Sequence, residues 1–356
     1  MQTQRKQLDF TGENIFIGMD VHKKSWTNSI LVGDTFHKTM NQPPEPKKIM
    51  AYVQKNFPNA NYHFGYEAGF CGYWIYEQLK SMGAACTILN PADIPTTDKE
   101  RQFKEDSRDS FKIAKGLRNA DSSPIFVHTQ ELRDLRGLAR QRHQIVKDQT
   151  KCKNRIKALL NFHGIKMPAD EITKHWSKRY INWLNTISFN TPEAKQTMKN
   201  AITQLQFTRQ LLLEITRSLR KISQGEPYKE TMKQLRSIPG IGLISAMHIL
   251  TELGPIERFK SLDKLCSYFG LIPNTYSSGE KQRTGRNTKR GNKILKNTLI
   301  ESSWVALRHD PALLLAYKQL CKRMEPNKAI IKIARKLLNR IRFVLKNKTE
   351  YEIRTV

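Results

Sequence analysis

The sequence has no apolar stretch of the kind that membrane proteins and secreted proteins need. None of its hydrophobic runs approaches the roughly 18 consecutive apolar residues of a transmembrane helix. The N-terminal segment MQTQRKQLDF contains no apolar signal core. We therefore expect a cytoplasmic protein that makes no membrane contact.

Cysteine is sparse and scattered, and a nucleotide-binding loop is missing. The five cysteines form no C-x-x-C pair, and no histidine stands at zinc-ligand spacing from them. We expect reduced thiols that fill hydrophobic cores rather than disulfides or zinc ligands. No Gly-rich segment ends in the Lys-Ser/Thr pair of a P-loop, so the sequence does not indicate ATP use.

Acidic residues are also few. The chain has 32 Asp and Glu against 61 Lys and Arg, a net charge of +29. Such a charge attracts nucleic acid or an anionic membrane, and the absence of membrane segments favours nucleic acid. The charge is concentrated late in the chain: residues 281–296 carry seven basic residues and no acid, and residues 318–348 carry eleven with Glu325 as the only acid.

The first 90 residues have the pattern of an α/β fold. Short apolar runs alternate with amphipathic segments, and one pair of runs flanks the turn at Gly33 as in a hairpin. Three strands followed by strands alternating with helices is the order of an RNase H-like sheet, and many other α/β folds share parts of it. The predicted strands are residues 15–19, 29–32, 35–39, 62–66 and 86–89, and the predicted helices are residues 46–56 and 70–82.

The middle and the last third of the chain are predicted to be mainly helical. Residues 129–162 and 198–222 keep the three-four apolar spacing of long helices, which pair either with each other as an antiparallel arm or with a second protomer. Further on, the turn with Gly240 and Gly242 opens into a helix at residues 243–253. A helix-hairpin-helix would hold the N–H groups of this turn against a phosphate, and an ordinary turn is the alternative.

Four acids occupy positions that a metal site would need. Asp20 and Glu67 each end an apolar run, and Asp106 and Asp109 share one face of the helix predicted at residues 98–118. Carboxylates in a basic protein would repel nucleic acid unless Mg²⁺ lay between them and the phosphate. The pattern predicts metal-dependent chemistry on a nucleic-acid backbone, whereas surface acids without a role are the alternative.

Ser278 is a candidate nucleophile. It stands directly before Gly279 and just upstream of the basic stretch at residues 281–296. A serine among Lys and Arg could attack a phosphodiester while the cations stabilise the developing negative charge. A serine that only forms the turn is the commoner alternative.

These motifs together resemble the DEDD-type transposases of the insertion sequence 110 family, which includes the insertion sequence 1111 group and the Piv DNA invertases. The resemblance covers nearly the whole chain. The motifs that carry it are Gly18-Met-Asp20-Val-His-Lys, Tyr66-Glu67-Ala-Gly, Lys104-Glu-Asp106-Ser-Arg-Asp109, Pro239-Gly-Ile-Gly242, Gly270-Leu-Ile-Pro273, Ser278-Gly279, Gly285 and Thr288-Lys-Arg-Gly-Asn292.

The resemblance implies an architecture and a set of functional residues. The fold would be a RuvC-like (RNase H fold) domain at residues 1–125, a helical coiled-coil linker at 126–225 and a mainly helical transposase domain with a helix-hairpin-helix at 226–356. Ser110 stands where the family usually has Ala, and Ser277 makes the serine a tandem pair in which Ser278 matches the motif. The implied Mg²⁺ ligands are Asp20, Glu67, Asp106 and Asp109, the implied nucleophile is Ser278, and the expected nucleic-acid contacts are Gly240, Gly242, Lys281, Arg283, Arg286, Lys289, Arg290 and Lys293.

The same resemblance implies partners and an activity. Members act on donor and target DNA as homo-oligomers, here a dimer or a tetramer, in which the acids of one protomer and the serine of another complete one site. Several use a structured guide RNA from the element. The expected protein is therefore a nucleoid-associated recombinase that moves its own element. A RuvC-like junction nuclease that uses water and a non-catalytic nucleic-acid-binding protein are the alternatives.

Overall fold

A five-stranded mixed sheet organises the first unit of the chain, Met1–Val127. The computed structural model describes residues 8–93, 105–120, 123–167, 176–278, 281–288 and 290–353. Strand β1 is antiparallel to β2, β2 is antiparallel to β3, and β4 is parallel to both β1 and β5. The resulting order β3-β2-β1-β4-β5 is consistent with the expected RuvC-like domain. The strands are β1 (Asn14–Val21), β2 (Trp26–Val32), β3 (Thr35–Gln42), β4 (Asn61–Glu67) and β5 (Ala85–Leu89).

Three α-helices of this unit lie in the described residues: α1 (Pro46–Asn56), α2 (Trp74–Ser81) and α3 (Asp106–Asn119). The predicted strands and α1 are confirmed, but α2 begins four residues later than the helix predicted at residues 70–82. The reason is Gly72, whose φ of 62° is left-handed and cannot belong to an α-helix. Residues 98–104, where the helix with Asp106 was predicted to begin, lie outside the described residues.

The two faces of the sheet differ because side chains alternate along each strand. One face carries large apolar side chains that pack against α1 and α2. The other face has register-paired glycines, Gly18 in β1 and Gly65 in β4, and α3 lies directly on them. A Cβ on Gly18 would come within 2.0 Å of the Ser110 carbonyl oxygen. The buried apolar face is formed by Ile15, Ile17, Met19, Phe64, Tyr66, Ile49, Val53, Ile75 and Leu79.

The second unit, His128–Val356, contains the two long helices predicted from the apolar spacing. These are α4 (Gln130–Phe162) and α6 (Pro192–Ser223), and α5 (Lys178–Thr186) lies between them in the chain. Arg142 donates a hydrogen bond to Thr216 at 2.9 Å, and Arg155 donates one to Gln204 at 3.2 Å. The later residue of α4 thus contacts the earlier residue of α6. The two helices therefore pair antiparallel within one chain, and coiled-coil packing stays a prediction.

The rest of the second unit is a helical body with one two-stranded sheet. The helices pack around a core to which the C-terminal helix contributes Ile333, Leu337 and Ile341. The β6–β7 hairpin was not predicted, because its polar, basic sequence lacks the apolar alternation of a half-buried strand. The elements are α7 (Lys229–Ser237), α8 (Leu243–Leu253), α9 (Leu262–Tyr268), β6 (Pro273–Ser278), β7 (Lys281–Asn287), α10 (Lys293–His309), α11 (Pro311–Cys321) and α12 (Pro326–Asn347).

The cysteines and the helices agree with the expectations from composition. All five cysteines are free thiols. In the part of the chain that the structure describes, no helix is both long enough and apolar enough to cross a membrane. The division at residues 125 and 225 stays a prediction.

Candidate functional site

Asp20 and Glu67 lie side by side at the carboxyl ends of two parallel strands. The register pairs Gly18 with Gly65 and Met19 with Tyr66, so Asp20 and Glu67 follow at the same level of the sheet. Both acids are two residues beyond a glycine that faces α3, and strand alternation therefore directs both side chains to that face. Asp20 is half-buried and Glu67 is exposed.

Helix α3 brings the other two predicted acids to the same face of the sheet. The helix begins at Asp106, so Asp106 and Asp109 lie in its first turn, where the helix dipole favours negative charge. Because α3 packs on Gly18 through Ser110 and Ala114, its first turn lies near the strand end that carries Asp20.

His22 joins this group, and sequence reasoning missed its role. Its Nε2 atom lies 3.2 Å from Asp20 Oδ2 and 3.6 Å from Asp106 Oδ1. One ligand atom from each of Asp20, His22 and Asp106 lies within 4.8 Å of the others, which suits a shared divalent cation. The sequence feature that could have indicated His22 is its position two residues after an acid at a strand end. Glu67 and Asp109 lie outside this three-residue group.

The electrostatics of Asp20 fit a cation site. Burial raises the pKa of Asp20, and the Asp106 and Asp109 carboxylates add to that rise, while His22 opposes it. Without a cation the site therefore disfavours ionisation of Asp20. A divalent ion would replace the proton and bind to the ionised carboxylate, so its affinity should increase with pH.

A chain of hydroxyl groups fixes α3 to the sheet. Ser110 is buried, and its Oγ lies 2.8 Å from Ser29 Oγ in β2, which in turn lies 2.7 Å from Thr39 Oγ1 in β3. Ser110 also donates to the Ser107 carbonyl at 3.1 Å. The serine that departs from the family pattern therefore has a hydrogen-bonded place in this fold, directly beside Asp109.

The candidate nucleophile lies on the β6–β7 hairpin. Ser277 and Ser278 are the last residues of β6 and pair with Gln282 and Lys281 of β7, so they end a strand rather than form an open turn. Gly279 and Lys289 lie outside the described residues. The remaining basic residues predicted to bind nucleic acid follow the hairpin into the next helix: Lys281, Arg283 and Arg286 in β7, Arg290 after it and Lys293 at the start of α10.

The base of this hairpin is closed by a buried network that sequence reasoning missed. A Cβ on Gly291 would come within 2.3 Å of Gly270 Cα, so the two chain segments touch through their backbones. The fully buried Glu252 accepts hydrogen bonds from Arg140 Nε at 2.5 Å and Asn292 Nδ2 at 2.8 Å. Burial opposes ionisation of Glu252, but these bonds outweigh it and lower its pKa. Asn292 also caps α10 by accepting from Ile294 N at 3.0 Å.

The predicted phosphate-binding turn lies between α7 and α8. Gly240 has a left-handed φ of 85°, and a Cβ there would come within 2.2 Å of the Ser302 carbonyl in α10. Packing against α10 thus accounts for the glycine at this position. Gly242 is exposed and precedes the first residue of α8. Phosphate binding at this turn stays a prediction.

Two family profiles and several known proteins match the chain. Residues 232–319 match the IS116/IS110/IS902 transposase family, and residues 17–165 match the DEDD transposase profile of IS110. The transposase of insertion sequence element IS1533 from Leptospira borgpetersenii is 26% identical over 254 residues, 69% of this chain and 72% of that protein. The IS1111A transposase from Coxiella burnetii is 26% identical over 277 residues, 75% and 73% of the two chains. The protein y4qE from Sinorhizobium fredii is 27% identical over 78% of this chain and 66% of its own.

Proposed function

The chain belongs to the IS110 family of transposases, and from this premise we propose that it is a site-specific DNA recombinase that cuts and rejoins strands through a covalent phosphoserine. The observation that carries the proposal is the group formed by Asp20, His22 and Asp106 where β1 ends and α3 begins. Acids held this close in a chain of net charge +29 are suited to a cation that also binds phosphate.

Serine attack conserves the energy of the phosphodiester bond. The Ser278 oxygen forms an ester bond to phosphorus and gives up its proton, while the bond from phosphorus to the leaving deoxyribose oxygen breaks and that oxygen takes a proton. A hydroxyl end of a second strand then attacks the phosphoserine and releases the serine. The number of phosphate ester bonds is unchanged, so strand exchange needs no ATP, in agreement with the missing P-loop.

The residues present fit a divalent metal. Asp20 and Asp106 would hold Mg²⁺. Glu67 lies at the end of the neighbouring strand β4, and Asp109 lies in the same helix turn as Asp106. His22 would add a nitrogen ligand, which Mn²⁺ accepts more readily than Mg²⁺ does. The ion would stabilise negative charge on the phosphoryl group. Without the ion, the same His22 nitrogen lies within hydrogen-bonding distance of the Asp20 carboxylate.

We further propose the assembly and partners that this chemistry needs. The acids and Ser278 belong to separate units of the chain, and a homo-oligomer would complete each site from two protomers. The basic residues of β7 and α10 would hold donor and target DNA, and a structured RNA of the element would select the sites.

The covalent intermediate gives a direct test. The full-length protein is incubated with Mg²⁺ and a nicked DNA substrate, denatured, and separated on a gel that resolves protein-bound DNA. We expect an adduct with the wild-type protein that disappears on chelation and in both Ser278→Ala and Asp20→Asn. Ser277→Ala is the matched control and should retain the adduct.

Each other outcome would contradict a defined part of the proposal. An adduct retained in Ser278→Ala but lost in Ser277→Ala would move the nucleophile by one residue. Strand cleavage without any adduct would identify a nuclease that uses water. DNA binding without cleavage, equal in wild type and Asp20→Asn, would identify a non-catalytic binding protein.

A further inference from the structure

A basic groove runs beside the hairpin in the second unit. It has a volume of about 900 Å³ and is bounded by the start of β6, by Gly285 of β7 and by one face of α12. That volume is within the range of sites that enclose small ligands, and it suits a few nucleotides rather than a duplex.

The walls of the groove are cationic. Lys328, Lys332 and Arg335 share one face of α12, because they are separated by four and three residues, and Lys296 of α10 lies opposite them. Asp263 pairs with Arg335 at 3.0 Å, whereas among the described residues no carboxylate pairs with Lys296, Lys328 or Lys332. Three positive charges in one groove therefore lack a negative partner within the described part of the chain.

The floor of the groove is apolar, and a glycine lines it on the side of the hairpin. Leu271 and Ile331 line the floor, and Gly285 is exposed on the wall that the hairpin forms. A glycine in a strand permits the close approach of another backbone. Apolar side chains below cations suit a single strand that places bases on the floor and phosphates at the rim.

We infer that this groove binds a short single-stranded segment of DNA and guides it to the hairpin that carries Ser278. This inference rests on the proposed function, because proximity to the serine hairpin is what favours DNA as the occupant. Lys328 and Lys332 are one helical turn apart, about 6 Å along the helix, a spacing that neighbouring phosphates of an extended strand can match. None of these residues is among the nucleic-acid contacts that the family resemblance implies, although the basic stretches of the sequence contain them.

Charge removal in the groove provides the first test. All proteins carry Ser278→Ala so that binding is measured without covalent chemistry, and the probe is a fluorescein-labelled oligothymidylate followed by anisotropy. Lys328→Gln/Lys332→Gln should weaken binding about tenfold and reduce the slope of log affinity against log salt by about 1.4, since two phosphate contacts are lost. The matched control, Lys318→Gln/Lys346→Gln, removes the same charge from exposed lysines outside the groove.

Charge addition provides a second test that misfolding cannot imitate. Asn327 is an exposed residue of the groove, so Asn327→Lys should tighten binding about threefold and steepen the salt dependence. Gln319→Lys adds the same charge at an exposed position of α11 outside the groove and should change binding less.

Three outcomes would overturn the inference. Equal effects of the groove and control variants would show that net charge alone matters. Weakened binding of oligouridylate with unchanged binding of oligothymidylate would assign the groove to RNA, and an effect confined to duplex probes would exclude a single strand. The covalent-adduct experiment is independent of these measurements, so the proposed function and the groove can fail separately.

Discussion

The position of α3 on the sheet depends on Gly18, and replacing this glycine with alanine should displace the acids of the candidate site. A Cβ there would lie 2.0 Å from the Ser110 carbonyl and 2.3 Å from the Ala114 nitrogen, both backbone atoms of α3. Ordinary contacts begin near 3.4 Å, so the helix would have to move by about 1.4 Å.

Gly65→Ala is the matched comparison, because Gly65 is the register partner of Gly18 on the same face. The three atoms nearest its Cβ would all belong to the Leu117 side chain, the closest at 2.7 Å, and that side chain can rotate. Overpacking costs about 1–3 kcal/mol, so we expect Gly18→Ala at or above the upper limit and Gly65→Ala near the lower one. A shift of this size in a catalytic group can cost on the order of a hundredfold in rate.

Urea unfolding and strand cleavage measure the two effects. Gly18→Ala should lower the unfolding midpoint more than Gly65→Ala does, and in conditions where both variants are folded it should lose far more cleavage activity. If the two alanine variants were equally stable and equally active, direct packing of α3 on Gly18 would not be what positions Asp106 and Asp109.

Three further predictions follow from contacts in the two units. Ser110→Ala should destabilise the protein by about 1 kcal/mol, and a double-mutant cycle with Ser29→Ala should show coupling in urea unfolding; additive effects would refute a direct bond. His22→Ala should weaken Mn²⁺ binding measured by calorimetry, whereas the nearby exposed Lys24→Ala should not. Glu252→Gln should lower stability at neutral pH by about 1–3 kcal/mol, since it breaks a buried ion pair whose arginine is half exposed. Because the pKa of Glu252 is lowered in the folded protein, the unfolded chain binds a proton at this residue at a higher pH than the folded chain does. The stability difference between wild type and Glu252→Gln should therefore shrink in acid. A difference that stayed constant with pH would contradict the lowered pKa of Glu252.

The strand ends illustrate what apolar periodicity and local chemistry predict well. Runs ending in Asp20 and Glu67 predicted two strands with acids at their carboxyl ends, and the parallel register of β1 and β4 puts them at one level. The β2–β3 hairpin was predicted from Gly33, because a turn that needs a glycine is specified by residues next to each other in the chain. The β6–β7 hairpin escaped prediction because its polar, basic strands lack apolar alternation, and because the contact of Gly270 with Gly291 that closes its base is not visible in either segment alone.

The sequence by itself determined the excess of positive charge, the α/β pattern of the first unit, the two long helices and the motifs that identify the family. These depend on residue type and on spacing along one element, which the chain order contains. Only the tertiary structure decided that His22 lies beside Asp20 and Asp106, and that α4 pairs with α6 of the same chain. It also decided that Glu252 closes the base of the serine hairpin. Such contacts join residues far apart in the chain, and packing selects among partners that the sequence pattern leaves equally possible.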